Sequence, residues 1–118
     1  MSAPVLEPVL DDQRLAAFGE ELGDAGFAAQ HLQRYRRMLP ERVCAVVARL
    51  AERRLDPAMD RVLSLRTSSE LVGACELAVL AGRIEQQLAD GAWVEAEETG
   101  HRLGAAADRL ACRLATAC

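Results

Sequence analysis

The 118-residue chain contains neither lysine nor asparagine, so all fourteen of its basic residues are arginine. Aromatic residues are scarce, with only Phe18, Phe27, Tyr35 and Trp93, and Ile84 is the single isoleucine. Aromatic and β-branched residues favour strands, whereas alanine, leucine and arginine favour helices. No segment alternates between apolar and polar residues in the manner of a strand. We therefore predict an all-α fold.

The sequence also lacks any apolar run long enough to cross a membrane, which takes about 20 residues. Its first ten residues have no basic segment followed by an apolar stretch, so they do not resemble a secretory signal peptide. The net charge of −4 argues against nucleic acid as the main partner, because phosphate groups attract basic surfaces. We expect a cytoplasmic protein that binds neither membranes nor nucleic acid.

Motifs for metals, cofactors and catalysis are absent as well. The cysteines, Cys44, Cys75, Cys112 and Cys118, include no C-x-x-C pair. We interpret the first three as small apolar residues within helices. The sequence has no glycine-rich phosphate loop, no H-E-x-x-H motif and no recognisable Ser-His-Asp set. These absences predict no metal site, no cofactor and no enzymatic activity.

Apolar periodicity and breaker residues divide the chain into five helices. Residues 1–10, with two prolines, are expected to be irregular, and residues 11–118 to form one helical domain. The expected helices cover about residues 11–22, 25–54, 57–72, 74–89 and 92–115. Asp56 is predicted to cap the third helix, with Pro57 as its first residue. Pro40 either kinks the second helix or separates two helices at Leu39–Pro40. We favour one kinked helix, because the same apolar stripe (Leu39, Val43, Val46, Val47 and Leu50) continues past the proline.

The short connections favour antiparallel packing of successive helices. The expected architecture is an antiparallel up-down-up-down four-helix bundle with a short extra N-terminal helix. The residues predicted to face the core of the last three helices are Val62, Leu65, Ser69 and Val72, with Met59 beside them; Leu77, Leu80, Ala81, Ile84 and Leu88; and Ala96, Leu103, Ala107, Leu110 and Leu114. The charged face of the second helix, which includes Arg34, Arg37 and Arg42, is interpreted as solvated, with partner binding as the alternative.

Leu63 does not belong to the core stripe of the third helix. It lies two residues from Leu65, which places it on nearly the opposite side at about 100° per residue. Its neighbours at helical spacing include Asp60, Arg66 and Thr67. We therefore predict an exposed leucine on a polar face, which by itself needs no functional explanation.

The stretch SLRTSSELVGACELAVLAGRIE, residues 64–85, resembles the region after the active histidine of histidine-containing phosphotransfer (HPt) domains. The signature of that family is His-x-Leu-Lys-Gly-Ser/Ala, followed by a Gly-Ala step into the next helix. Leu65 stands at the leucine, Arg66 at the lysine, and Gly73–Ala74 at the step. The long second helix with its internal proline and the Asp90–Gly91 turn extend the resemblance over nearly the whole chain.

Two chemical positions of the signature are lost, and a third is altered because Arg66 replaces the lysine. Leu63 occupies the position of the phosphorylated histidine, and a hydrocarbon side chain cannot carry a phosphoryl group. Thr67 replaces the glycine that allows close approach of a receiver domain. The resemblance therefore implies an HPt-like module of a two-component phosphorelay that binds a receiver or kinase domain without carrying phosphate. Its predicted partner-binding face comprises Asp60, Leu63, Arg66, Thr67 and Glu70, and no residue is catalytic.

Two alternatives stay open. In the first, the protein is a helical scaffold or dimerisation protein without a phosphorelay role. In the second, it is a phosphocarrier through His101, in the stretch GHRLGAA. Glu97, Glu98 and Asp108 surround His101 in sequence and would repel a phosphoryl group. His31 is expected to lie at the surface or half-buried. We expect a monomer or a weak homodimer.

Overall fold

The computed structural model describes residues 9–23 and 25–116, and all regular structure among them is helical. The helices are α1 (Asp12–Leu22), α2 (Ala25–Glu52), α3 (Leu55–Leu71), α4 (Cys75–Ala89) and α5 (Trp93–Thr116). The all-α prediction is thereby confirmed. Most of the segment expected to be irregular, residues 1–8, lies outside the described residues. Val9 and Leu10 precede α1, and Leu10 is buried.

Helix α1 begins and ends as the sequence predicts. The Oδ1 atom of Asp11 accepts a hydrogen bond of 3.1 Å from the backbone N–H of Arg14, which is the N-cap interaction of this helix. Gly23 ends the helix with a φ of 67°, a left-handed conformation that glycine adopts without steric cost. The capping chemistry of this first segment was therefore visible in its residue types.

Helix α2 runs without interruption through Pro40. Leu39 lies immediately before the proline and Val43 one turn after it, and both side chains are buried. A common buried stripe on both sides of Pro40 keeps the two halves in one helix, because burial offsets the hydrogen bond that proline removes. The single-helix prediction is confirmed, although Val47 is half-buried where we expected it to face the core.

The predicted start of α3 is wrong by two residues. The helix begins at Leu55, and Arg54 occupies the N-cap position without a side-chain cap. Asp56 therefore lies in the first turn and Pro57 is the third residue of the helix. Proline is tolerated there because the first N–H groups of a helix have no intrahelical acceptor. The first helical bond, 3.1 Å long, runs from the N–H of Ala58 to the carbonyl of Arg54.

The four long helices contact one another in cyclic order, α2 with α3, α3 with α4, α4 with α5 and α5 with α2. Helix α1 lies against α2 and α3. The core is mostly leucine, alanine and valine, and its largest fully buried residues include Leu50, Leu65, Leu77, Ile84, Leu103 and Leu110. Burial of these side chains is the main stabilising contribution to the fold.

The predicted core stripes agree closely with the observed burial. The residues predicted to face the core from α3 and α4 are buried, including the hydroxyl residue Ser69, except Met59, which is half-buried against the core. On α5, Ala107 is only half-buried, whereas its neighbour Ala106 is buried. Trp93, at the start of α5, is half-buried and packs against the core. The error at Ala107 is one residue in phase on an otherwise correctly oriented helix.

Cys44, Cys75 and Cys112 lie in helices. Cys44 and Cys112 are exposed, so these two do not pack as core residues. Within the described part of the chain, no group of three or more histidine, cysteine, aspartate or glutamate side chains is arranged to hold a metal ion. No helix in the described ranges combines the length and apolar character that crossing a membrane requires.

Gly73, in the turn between α3 and α4, attaches the start of α1 to the rest of the fold. The N–H of Asp11 donates a hydrogen bond of 2.6 Å to the carbonyl of Gly73. A Cβ atom at position 73 would lie 2.6 Å from the carbonyl oxygen of Asp11, and φ at this residue is 77°. Arg14 adds a bond from its Nε to the carbonyl of Glu70, 3.3 Å long. Only glycine satisfies both the turn and this close approach.

Candidate functional site

An open groove with a volume of about 530 Å³ lies between α2 and α3. We call it the α2–α3 groove. Its α2 side consists of His31, Arg34, Tyr35, Met38 and Arg42. Its α3 side consists of Asp60, Leu63, Ser64, Thr67, Ser68 and Leu71. The volume lies in the range of sites that bind small molecules or the side chains of a partner.

Leu63 lines this groove and is half-buried. We predicted that Leu63 is exposed, and the structure shows that its side chain is only partly accessible. Periodicity within α3 places Leu63 away from the core stripe correctly, but it cannot show that α2 borders the same flank of α3. The side chain is consequently accessible from the groove and shielded on its other sides.

The structure places the five residues of the predicted partner-binding face in two settings. Asp60, Leu63 and Thr67 line the α2–α3 groove, whereas Arg66 and Glu70 do not. The Nε atom of Arg66 lies 3.3 Å from Oε1 of Glu70, and its Nη1 donates to Oε2 of Glu85 on α4. Arg66 is thus paired on the side of α3 that faces α4. The predicted face is divided between a groove side and an ion-paired side.

Arg34 and Arg42 are groove residues that the family resemblance does not identify. Among the described residues, neither guanidinium has a carboxylate within ion-pair distance. The contact found for Arg42 is a weak hydrogen bond from Nη2 to the sulfur of Met38, 3.8 Å long. The signal for them in the sequence is the charge of α2, which contains five arginines against Glu41 and Glu52.

Tyr35 and Ser69 connect α2 to α3 beside the groove. Their hydroxyl oxygens are 2.7 Å apart, and both side chains are buried, Tyr35 being 3% exposed and Ser69 0%. Burial raises the pKa of Tyr35 to about 12, although the hydrogen bond with Ser69 and the charge of Arg42 act in the opposite direction. The phenol therefore stays neutral near pH 7 and serves as a structural hydrogen-bonding group, not as a nucleophile.

The two histidines occupy different surroundings. His31 is half-buried and lines the groove, with its ring centroid 5.0 Å from that of Phe18 in an edge-to-face arrangement. His101 is exposed on α5, a helix that has no contact with α3 among the described residues. Glu97, one turn before His101, is paired with Arg53 at 2.9 Å. The groove therefore contains an imidazole, but not the one considered as a phosphate carrier.

Comparison of the chain with protein-family models, with curated proteins and with solved structures finds no match. The description of the site thus depends on its geometry and chemistry. Its apolar surface comes from Met38, Leu63 and Leu71. Its charge comes from Arg34 and Arg42, which have no carboxylate partner in the part of the chain that the structure describes, and from Asp60 on the opposite side. An apolar surface with basic groups beside it is suited to recognition of a partner that is apolar and acidic.

Proposed function

We propose that the protein is an HPt-like signalling module of a two-component phosphorelay. In this proposal it binds the receiver domain of a response regulator, or a histidine kinase, without carrying phosphate. The observation on which the proposal rests is the position of Leu63: the residue that replaces the histidine of the HPt signature lines an open groove. A leucine at that place provides contact area for a partner and no nucleophilic atom.

The proposal includes the arrangement of the four long helices as an antiparallel up-down-up-down bundle. Two observations support it. The helices contact one another in cyclic order, and the segments between α2 and α3, α3 and α4, and α4 and α5 are only a few residues long. Short connections return the chain along the preceding helix, so neighbouring helices run in opposite directions.

The partner-binding part of the proposal is tested by titrating purified receiver and kinase domains from the same organism against the native protein and Leu63→Asp. We expect at least one domain to bind and Leu63→Asp to weaken that binding by about tenfold or more, because a carboxylate would be desolvated at the interface. Val79→Asp is the matched control, since Val79 is an exposed valine on α4, outside the groove. Absence of binding to every domain, or equal effects of the two variants, would contradict the proposal.

The phosphate-silent part is tested by incubating the protein with a phosphorylated kinase or receiver and measuring acid-labile phosphate. We expect none on the native protein and a gain in the double variant Leu63→His with Thr67→Gly, which restores the signature. Phosphate on the native protein that disappears in His101→Ala would establish the phosphocarrier alternative. Phosphate that disappears in His31→Ala would equally refute a silent module.

The scaffold alternative has its own support in exposed apolar residues far from Leu63 in sequence. Val94 is 55% exposed and Phe27 is 63% exposed. A homodimer through such residues would appear as a sedimentation mass that rises with concentration and falls again in Val94→Asp. We expect a monomer or a weak homodimer, and a stable dimer dependent on Val94 would favour the scaffold function.

A further inference from the structure

Positive charge is concentrated on one helix of an acidic protein. The chain has 14 basic and 18 acidic residues and a net charge of −4. Helix α2 nevertheless contains five arginines and only two glutamates, and Glu52 is already paired with Arg49 at 2.7 Å. The remaining arginines of α2, at positions 34, 36, 37 and 42, have no carboxylate partner among the described residues. A partner that approaches α2 is therefore favoured if it is acidic.

Two of these arginines border the α2–α3 groove at a regular spacing. Arg34 and Arg42 are eight residues apart on α2, which corresponds to about 12 Å along the helix axis. Leu63 and Leu71 are likewise eight residues apart on α3, and both line the same groove. Met38 lies midway between the two arginines and adds apolar surface. The α2 side of the groove thus carries two basic groups, and the α3 side carries two leucines among polar residues, each pair about two helical turns apart.

We propose that the α2–α3 groove binds an acidic amphipathic helix of the partner. Carboxylates seven or eight residues apart on such a helix have the spacing of Arg34 and Arg42, and apolar residues between them can contact Leu63 and Leu71. A helix fits better than an extended strand, because the described residues offer no sheet edge for a strand to join. The inference rests on the proposed function and specifies the chemistry of the partner at the same site.

Asp60 determines which side of the groove the acidic residues of the bound helix can contact. It is exposed and lines the α3 side of the groove, three residues before Leu63. Its carboxylate would repel an acidic residue placed directly against it, so the carboxylates of the incoming helix must lie on the α2 side. The bound helix therefore has one preferred rotation about its axis, with its acidic stripe toward Arg34 and Arg42.

The probe is a fluorescein-labelled, hydrocarbon-stapled peptide of about 15 residues, because unconstrained helices of that length are marginal in water. It has leucines at every third or fourth position and two glutamates eight residues apart. The matched control peptide has lysines in place of both glutamates. We expect the acidic peptide to bind the native protein by fluorescence anisotropy and the lysine peptide not to bind.

Charge-reversal variants test whether the acidic peptide binds at the α2–α3 groove. Arg34→Glu and Arg42→Glu should each raise the Kd of the acidic peptide by about tenfold or more, since each replaces an attraction by a repulsion. Arg102→Glu, at an exposed arginine of α5 without an ion pair among the described residues, should leave the Kd unchanged. Circular dichroism melting confirms that the variants fold. Equal effects at positions 34, 42 and 102, or binding of both peptides, would overturn the inference.

Two further outcomes separate the possible failures. Displacement of the peptide by an oligothymidylate as effectively as by unlabelled peptide would mean that α2 attracts polyanions in general, and would overturn the inference. If receiver domains bind and the arginine variants have no effect on them, the inference is wrong while the proposed function stands. If the peptide binds and no receiver or kinase does, the groove chemistry stands and the proposed function is wrong.

Discussion

The two flanks of α3 differ in how their charges are satisfied. On the flank that faces α4, Arg66 is paired with Glu85 and with Glu70. Across the groove from the other flank, Arg34 and Arg42 of α2 have no carboxylate partner among the described residues. A flank whose charges are neutralised within the chain contributes to holding the helices together. A flank whose charges lack partners is available to another molecule, and the difference locates the candidate site.

The largest expected effect on stability is the difference between Leu65 and Leu63, which lie two residues apart on α3. Leu65 is 1% exposed, so Leu65→Ala should lower the free energy of unfolding by about 2–5 kcal/mol through lost burial and a cavity. Leu63→Ala should lower it by less than about 1 kcal/mol, because Leu63 is half-buried at the groove. Urea denaturation of both variants measures the difference. Similar losses would mean that the groove flank is part of the core.

The second prediction concerns the effect of high pH on Tyr35, whose hydrogen bond with Ser69 connects α2 to α3. The folded protein holds the Tyr35 pKa at about 12, above the ordinary value of 10. The neutral phenol is therefore favoured by folding, and its contribution is complete below pH 10 and is lost as the pH rises toward 12. We expect the free energy of unfolding to fall by about 2–3 kcal/mol over that interval.

Two controls make this test specific. The chain has no lysine and only one tyrosine, so few other side chains titrate in the same interval. Tyr35→Phe should abolish the decline between pH 10 and 12, while costing about 1–3 kcal/mol at pH 7 by leaving the buried Ser69 hydroxyl without its partner. A tyrosinate absorbance midpoint near 10 in the folded protein would contradict the prediction.

The third prediction addresses the ion-paired flank. Arg66→Gln should lower the free energy of unfolding by about 1 kcal/mol, because Glu85 is partly buried and loses its partner on α3. Arg49→Gln is the comparison, since the Arg49–Glu52 pair lies within α2 and should contribute only about 0.2–0.5 kcal/mol. A double-mutant cycle with Glu85→Gln isolates the coupling. A coupling energy of zero between Arg66 and Glu85 would show that this ion pair does not help to hold α3 against α4.

The smallest effect is expected at the unpaired arginines. Arg34→Gln and Arg42→Gln should change the free energy of unfolding by less than about 0.5 kcal/mol, because neither side chain pairs with a carboxylate among the described residues. Thermal denaturation at low salt is the appropriate measurement, since screening would hide small charge effects. A loss above about 1 kcal/mol at either position would show that the arginine has a structural role.

The helices and most of the core could be predicted from the sequence because they depend on local rules. The α4 stripe that ends at Leu88 is buried as its periodicity indicates. Gly23 ends α1, since it is the residue that tolerates a left-handed conformation there. The predicted start of α3 is two residues late. An aspartate and a proline are compatible with the cap and first position, as predicted, and equally with the second and third positions of the helix, where the structure has them.

The site could be predicted only in part, because it depends on which helices become neighbours. Position 63 was identified through the HPt resemblance, and its departure from the core stripe followed from α3 alone. The burial of Ser69 was also predicted, but its partner Tyr35 lies 34 residues earlier in the chain. The pairing of Arg66 with Glu85 likewise joins separate helices. No periodicity within one helix contains such information.

The close approach at Gly73 makes one residue responsible for two parts of the architecture. Its backbone reverses the chain between α3 and α4, and its carbonyl receives the N–H of Asp11 at the beginning of α1. A side chain introduced at this position would disturb the turn and displace α1 in the same event. A single substitution at position 73 would therefore perturb two parts of the fold at once, although more than sixty positions separate Asp11 from Gly73 in sequence.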